Sequence, residues 1–335
     1  MSDELVLITG ATGFIGSKIA VDALKAGYNV RLTVRREEQI GLLKEALAKY
    51  VDQLQFTIVT DFTRADAFHH ALHDVSYVLH IASPVFKQGG TDFENDYIKP
   101  AVKGTTSILE AAKLVPSVKK VLIMSSILSL MKMGFLDGTG QQDTPVKESN
   151  IFNPVSQLDH VDLHGHYGMK TQYQGSKILA HQATREWVKE NKPTFSVITF
   201  HPSFVIGPSV LQKKRSEAAP INDAFFETIV SGNVTIPPLF ADIRDVSQAF
   251  ITAINGDVPD GQEIIIISPE VGWSTIARVA EALYPDGIVG LKSSVSTPEP
   301  LTIDRNAFEN ILGLKWTSTE ELVRGVMDQQ RSLEG

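Results

Sequence analysis

The sequence predicts an α/β fold, a doubly wound parallel sheet with a smaller lobe towards its C-terminal end. Three observations predict it. Over the first 125 residues, short β-branched apolar runs alternate with longer amphipathic stretches, the pattern of strands joined by crossover helices. Those runs are continuously apolar rather than alternating, as buried parallel strands are when helices cover both faces of the sheet. From Pro202 onward ten prolines punctuate the chain, and the texture turns to short helices.

Strands are expected at residues 5–9, 30–34, 55–59, 77–81 and 121–124, with helices at 14–26, 37–50, 65–72 and 93–114 between them. A long helix is expected at 167–190, ending before Pro193, followed by a sixth apolar run at 195–200. Short helices follow at about 222–231, 243–254, 273–283, 303–312 and 318–333, and the apolar run at 263–267 is strand-sized.

With 335 residues, 43% of them hydrophobic, the chain has enough apolar side chains for one large domain or two fused lobes. A formal net charge of −8, with scattered basic residues, disfavours a nucleic-acid partner. There is no cysteine, which excludes disulfides, thiolate metal centres and a cysteine nucleophile together. The acidic start Met1-Ser2-Asp3-Glu4 is unlike the basic start of a signal peptide. No run approaches the roughly 18 apolar residues of a membrane span. A soluble, cytoplasmic protein without a membrane partner is the expectation.

Gly10-Ala11-Thr12-Gly13-Phe14-Ile15-Gly16 directly follows the first strand and opens the first helix. Glycines there let backbone amides approach a pyrophosphate, and the helix N-terminus favours its charge. The bare spacing is weak evidence, but its place at the first strand-to-helix turn points to a Rossmann-type dinucleotide site. Gly10, Thr12, Gly13, Phe14, Ile15 and Gly16 are thus cofactor candidates. Residues 1–200 would form the NADP-binding domain, to which some later segments return, and 201–335 mainly a substrate-binding lobe. A binder of the non-phosphorylated cofactor would carry an acid at the end of the second strand. This strand ends Val34-Arg35-Arg36, and two guanidinium groups suit a 2′-phosphate, so NADPH is expected over NADH. The plainer reading, a solvated basic helix start, sets positive charge against the helix dipole. Asp61 and Phe62, after the third strand, either hold an adenine or form an ordinary turn.

Tyr173 and Lys177 are four residues apart, on one face of the long helix. Ser125-Ser126 ends the fifth strand, at the carboxyl edge where open α/β sheets bind ligands. A free tyrosine, with a pKa of about 10, is a poor acid–base catalyst near neutrality, and a nearby ammonium is expected to lower it. Lys177 is assigned that role. A serine hydroxyl holds a carbonyl oxygen as negative charge develops, Tyr173 donates the proton and a nicotinamide delivers hydride. Ser126 is chosen over Ser125.

These motifs resemble the extended short-chain dehydrogenase/reductases. Val34-Arg35, His80-Ile81-Ala82-Ser83-Pro84, Ile98-Lys99-Pro100, Tyr173 to Ala180, His201 to Pro208 and Arg244-Asp245-Val246 resemble more narrowly the dihydroflavonol 4-reductase-like branch. That branch includes yeast methylglyoxal reductase and fungal ketone and aldehyde reductases. The resemblance implies catalytic roles for Ser126, Tyr173 and Lys177, with Lys177 also bonding the nicotinamide ribose. It implies that Ala82, Ser83 and Pro84 line that ribose, that Pro202, Ser203 and Val205 border the nicotinamide, and that Arg35 faces the 2′-phosphate. The chain departs from many extended members at Ala101, where they carry Asn three residues before the Gly-Thr seen here as Gly104-Thr105.

Val85, Phe86, Ile127, Met131, Met133 and Phe135 stand just beyond strand ends, where they either wall a substrate pocket or pack in the core. His160, His164 and His166 cluster without a completing ligand, so no metal is assigned. Lys213-Lys214-Arg215 reads as a solvated loop tip. The expected function is an NADPH-dependent carbonyl reductase, monomer or homodimer, acting on a small ketone or aldehyde. The alternatives are a sugar-nucleotide epimerase or dehydratase of the same fold and a non-catalytic NADP-binding redox sensor.

Overall fold

A computed structural model describes residues 4–83, 92–136, 138–140, 142, 144–149, 161, 168–269, 272–295 and 301–333. Among them the strands are β1 (Leu5–Thr9), β2 (Asn29–Val34), β3 (Leu54–Ile58), β4 (Val75–His80), β5 (Lys120–Met124), β6 (Val146–Lys147), β7 (Ser196–Pro202), β8 (Phe204–Ile206), β9 (Phe240–Asp242), β10 (Glu263–Ile266) and β11 (Ile303–Asp304). The α-helices are α1 (Phe14–Lys25), α2 (Glu38–Ala46), α3 (Lys99–Lys113), α4 (Met169–Asn191), α5 (Pro220–Ser231), α6 (Ile243–Asn255), α7 (Trp273–Leu283), α8 (Asn306–Asn310) and α9 (Thr319–Ser332). None of the described helices is long and apolar enough to cross a membrane.

Seven strands pair in parallel in the order β10-β7-β5-β4-β1-β2-β3. The chain runs outward from β1 through β2 to β3, then returns across the sheet to β4 on the other side of β1. The strand order reverses between β1 and β4, and a crevice opens there at the carboxyl ends. Successive residues of β1 explain why its run is wholly apolar. Val6 and Ile8 pack with α1 and α6 on one face, while Leu5 and Leu7 join Ile108 of α3 and Trp187 of α4 on the other. Each such buried Leu, Ile or Val contributes about 1.5–3 kcal/mol.

A third cluster gathers Ile206, Phe225, Phe240, Trp273, Val326 and Met327 beneath α5, α7 and α9. The rings of Phe225, Phe240 and Trp273 lie 5.1–5.7 Å apart, and the indole N–H of Trp273 donates to Ile236 O at 2.9 Å. This lobe sits beyond the ends of β7 and β10.

Four expectations about the elements need correction. The helix at 65–72 is a series of turns closed by three-residue bonds such as Ala67 N to Arg64 O. A stretch of two turns cannot nucleate itself, and packing of Phe68 against Phe62 (5.2 Å between centroids) and His80 decides its shape. The helix at 37–50 ends at Ala46 and tightens into a 3-10 turn at Ala48–Gln53, bent at Tyr50. The helix at 93–114 is divided: Pro100 has no N–H for the α ladder, and Lys99 N reaches back five residues to Glu94 O in a π turn before α3 proceeds. The helix at 303–312 shrinks to α8, because Ile303–Asp304 pairs with β6 and Glu148 accepts from Ala307 N at 2.7 Å, fixing where the helix starts. The basic tip at 213–215 is engaged with acids: Lys213 meets Glu45 at 2.8 Å, and Arg215 meets Asp223 and Glu227.

Candidate active site

The glycine turn is dictated by space. Gly10 has φ +76°, the left-handed region where only glycine is unstrained, and Gly13 N donates back to Gly10 O at 3.0 Å. A Cβ on Gly16 would stand 2.2 Å from Gly10 O, and one on Gly10 would stand 2.8 Å from Ala82 N. The turn therefore presses against the residues that follow β4. Thr12 and Gly13 are exposed, Phe14 and Ile15 half-buried, and α1 begins with no side-chain cap and no acid in its first turn. That leaves a helix N-terminus suited to an anion. Gly16→Ala is expected to abolish dinucleotide binding and to destabilise the fold by about 2 kcal/mol or more. Fluorescence titration with reduced dinucleotide and a denaturant melt check this; unchanged binding would contradict the cradle.

One cavity of about 260 Å³ runs from Arg35 and Phe62 past Ala82 and Ser83 to Lys177 and His181. The Arg35 guanidinium lies 5.9 Å over the Phe62 ring, and among the described residues it makes no ion pair. Arg36 is exposed and does not line the cavity; its amide, like that of Arg35, donates to Gln39 Oε1. Asp61 is on the cavity wall, where Oδ1 accepts from Thr63 Oγ1 (2.7 Å) and Thr63 N (2.8 Å). Those bonds hold its carboxyl below the usual range.

Beneath the cavity, Thr9 and His80 lie opposite each other on β1 and β4. Thr9 Oγ1 accepts from Ala82 N at 3.0 Å and hydrogen-bonds His80 Nδ1 at 3.1 Å, which orients the turn carrying Ala82 and Ser83. Burial, and then the charge on Lys177, push the His80 pKa down to about 3, so the ring is neutral. Sequence reasoning gave neither residue a role in the site. Polar side chains ending two apolar strands that pair across the switch point were the available signal.

Tyr173 and Lys177 share a face of α4, with the Lys177 Nζ 5.5 Å from the Tyr173 ring centroid. Lys177 is 5% exposed, and its ammonium donates to Ser83 Oγ at 2.6 Å. Burial lowers its pKa to about 8 and raises that of Tyr173 to about 12. The expected lowering of the tyrosine pKa is thus corrected: removal of the phenol from water raises it, and the Lys177 ammonium is turned to Ser83. Tyr173 holds its proton throughout the neutral range.

Ser126 is 9% exposed and caps the 3-10 turn Ile127–Leu130, its Oγ accepting from Leu128 N at 3.3 Å. Helix α4 packs on that turn. Ile127 and Met131 are 3% and 2% exposed and form an apolar bed with Val146 and Ile265, against which the Tyr173 ring and half-buried Phe135 lie. Met133 packs with Tyr173 from the side of Phe93. Ser125 lines the cavity and approaches Ser129 Oγ at 3.2 Å.

Pro202 ends β7 and Val205 lies buried in β8. Between them, Ser203 N donates to Ile266 O at 3.0 Å, while its Oγ is buried without a partner among the described residues. Pro84, Val85, Phe86, His160, His164 and His166 lie outside the described residues. Elsewhere, atoms of His181, His201 and Glu263 come within 4.8 Å of one another, but they bond each other, Arg185 and Thr199. An arginine against the carboxylate makes this an ion-paired network rather than a cation site.

Residues 6–267 match the NAD dependent epimerase/dehydratase family. The chain is 34% identical to ketoreductase sphI of Aspergillus fumigatus over 340 residues, covering 98% of each. It is 33% identical over 334 residues to the putative uncharacterized oxidoreductase C513.07 of Schizosaccharomyces pombe, covering 96% of this chain and 95% of the relative. It also overlays on the yeast methylglyoxal/isovaleraldehyde reductase Gre2 complexed with NADPH, with a TM-score of 0.83, 24% identity and 99% of each chain covered. With a seven-stranded sheet whose order reverses at β1 and a glycine turn at that point, the chain belongs to the NAD dependent epimerase/dehydratase family, the extended short-chain dehydrogenase/reductases.

Proposed function

We propose that the chain is an NADPH-dependent reductase that converts a ketone or aldehyde to an alcohol. The observation that carries this is Tyr173 beside the buried Lys177 ammonium on one face of α4, with Lys177 lining the cavity that Arg35 borders. The ketoreductase name of a relative matched over 98% of its length supports the same reading.

The residues present fit a dinucleotide. The glycine turn is a cradle that a Cβ would fill and, among the described residues, the Ser203 Oγ lacks a hydrogen-bond partner and the Arg35 guanidinium, free of ion pairs, could meet a 2′-phosphate. When bound, the nicotinamide supplies the hydride. Ser126 Oγ holds the substrate oxygen as it becomes negative, and Tyr173 Oη gives it a proton. Lys177, charged below pH 8, stabilises the phenolate left behind and is steered by Ser83.

The test is consumption of reduced cofactor with a panel of diketones, ketoesters, aldehydes and aryl ketones, with NADPH and NADH in parallel. Turnover in proportion to substrate, with NADPH preferred, is expected. A cofactor that is bound but never consumed would move the reading to an epimerase. Arg35→Ser is expected to raise the KM for NADPH about 10-fold or more, leaving NADH unchanged, as loss of a charge-assisted contact of about 1.5–3 kcal/mol requires. Equal effects on both cofactors would remove Arg35 from the phosphate.

A further inference from the structure

Behind Ser126 lies a second layer of polar groups that the proposed chemistry does not use. His201 of β7 is completely buried. Its Nδ1 stands 3.1 Å from the carbonyl oxygen of Ser126 and 2.9 Å from Ser129 Oγ, and its Nε2 stands 2.9 Å from Thr199 Oγ1. A carbonyl only accepts, so Nδ1 carries the hydrogen and Nε2 accepts from the Thr199 hydroxyl. Burial, reinforced by the neighbouring His181, pushes the His201 pKa down to about 3, so the ring is neutral. The other neutral tautomer would set the Nδ1 lone pair against the Ser126 carbonyl oxygen at 3.1 Å. Ser129 N (3.0 Å) and Ser129 Oγ (2.7 Å) donate to the same Ser126 oxygen, which is thus held by three donors.

The His201 ring is itself gripped from α4. His181 meets it edge to face at 4.7 Å, and its Nε2 is 2.7 Å from Glu263 Oε1. Glu263 is held ionised by His181 and Arg185, with Arg185 at 2.8 Å and Ser149 Oγ donating at 2.9 Å. His181 and Arg185 follow Lys177 by four and eight residues, continuing the face of α4 that carries Tyr173 and Lys177.

We propose that His201 is a positioning residue for the reduction: its Nδ1–H locks the Ser126 carbonyl, and with it the Ser126 hydroxyl, in register with Tyr173 and Lys177 through the α4 groups that grip the same ring. The kinetic part rests on the reductase reading; the tautomer does not.

The tautomer is read first, by 15N NMR of histidine-labelled protein at neutral pH, with His201→Asn assigning the signals. Nδ1 protonated and Nε2 bare is expected; the reverse overturns the proposal whether or not the protein turns over a carbonyl. In kinetics, His201→Asn keeps an amide donor near Nδ1 and is expected to retain kcat within about threefold. His201→Leu is expected to lose about 10- to 100-fold in kcat, with KM and NADPH affinity within about twofold, as misplacement of one reacting group does. Equal losses for Asn and Leu, or a loss carried by KM, mean a merely structural role. If the leucine variant does not fold, Thr199→Val removes only the donor to Nε2. It is expected to mix the two tautomers and lower kcat by about threefold to tenfold, and a single unchanged tautomer with full kcat overturns the proposal. No turnover by the parent chain would count against the reductase reading, and the NMR result would still decide the clamp.

Discussion

Tyr173→Phe is expected to lower kcat for carbonyl reduction by about 10²- to 10⁴-fold, the range over which a positioned general acid contributes, while NADPH affinity stays within about twofold. The phenol ring packs on the bed formed by Ile127 and Met131, and phenylalanine keeps that contact. Only the proton is removed. Because burial raises the Tyr173 pKa to about 12, the wild-type hydroxyl remains an acid across the working range. Turnover retained by the phenylalanine variant would transfer the proton to another group and sink the mechanism.

Lys177→Met is expected to abolish most turnover and yet to stabilise the cofactor-free protein at neutral pH. The Lys177 pKa falls from 10.5 to about 8 because its ammonium is buried. At about 1.4 kcal/mol per pH unit, keeping that charge inside the fold costs about 3 kcal/mol. The direction follows from the depressed value of a basic group. Below pH 8 folded and unfolded chains both carry the proton and the penalty is complete. Between about 8 and 10.5 the folded chain sheds it first, and the penalty fades. Methionine, of similar length and uncharged, should therefore gain about 1–3 kcal/mol at pH 7 and nothing above pH 10.5. Denaturant unfolding at the two pH values measures this, and a less stable variant at pH 7 would show that Ser83 more than compensates the burial.

That trade explains which parts of the site were legible in advance. Gly10, Gly13 and Gly16 could be read because their role depends on a turn of seven residues, and Tyr173 and Lys177 because helical periodicity alone puts them on one face. The tyrosine's acidity could not be read. It depends on how much water the folded chain removes, and the expected effect of the ammonium had the opposite sign to what burial produces. Ile127 and Met131 were expected either to wall a substrate pocket or to pack in the core, and packing makes them a floor under Tyr173.

The sequence by itself determined the parallel doubly wound sheet, the glycine turn at its first crossover and the helix bearing Tyr173 and Lys177. These follow from periods of a few residues, within which backbone geometry leaves little choice. Only the tertiary structure decided which distant groups serve them. Ser83 reaches Lys177 across 94 residues of chain, His201 reaches Ser126 across 75, and Glu148 fixes the start of α8 across 159. Such pairings carry no local pattern. They are selected by packing that brings the strand ends together and by the cost of leaving any polar group buried there without a partner.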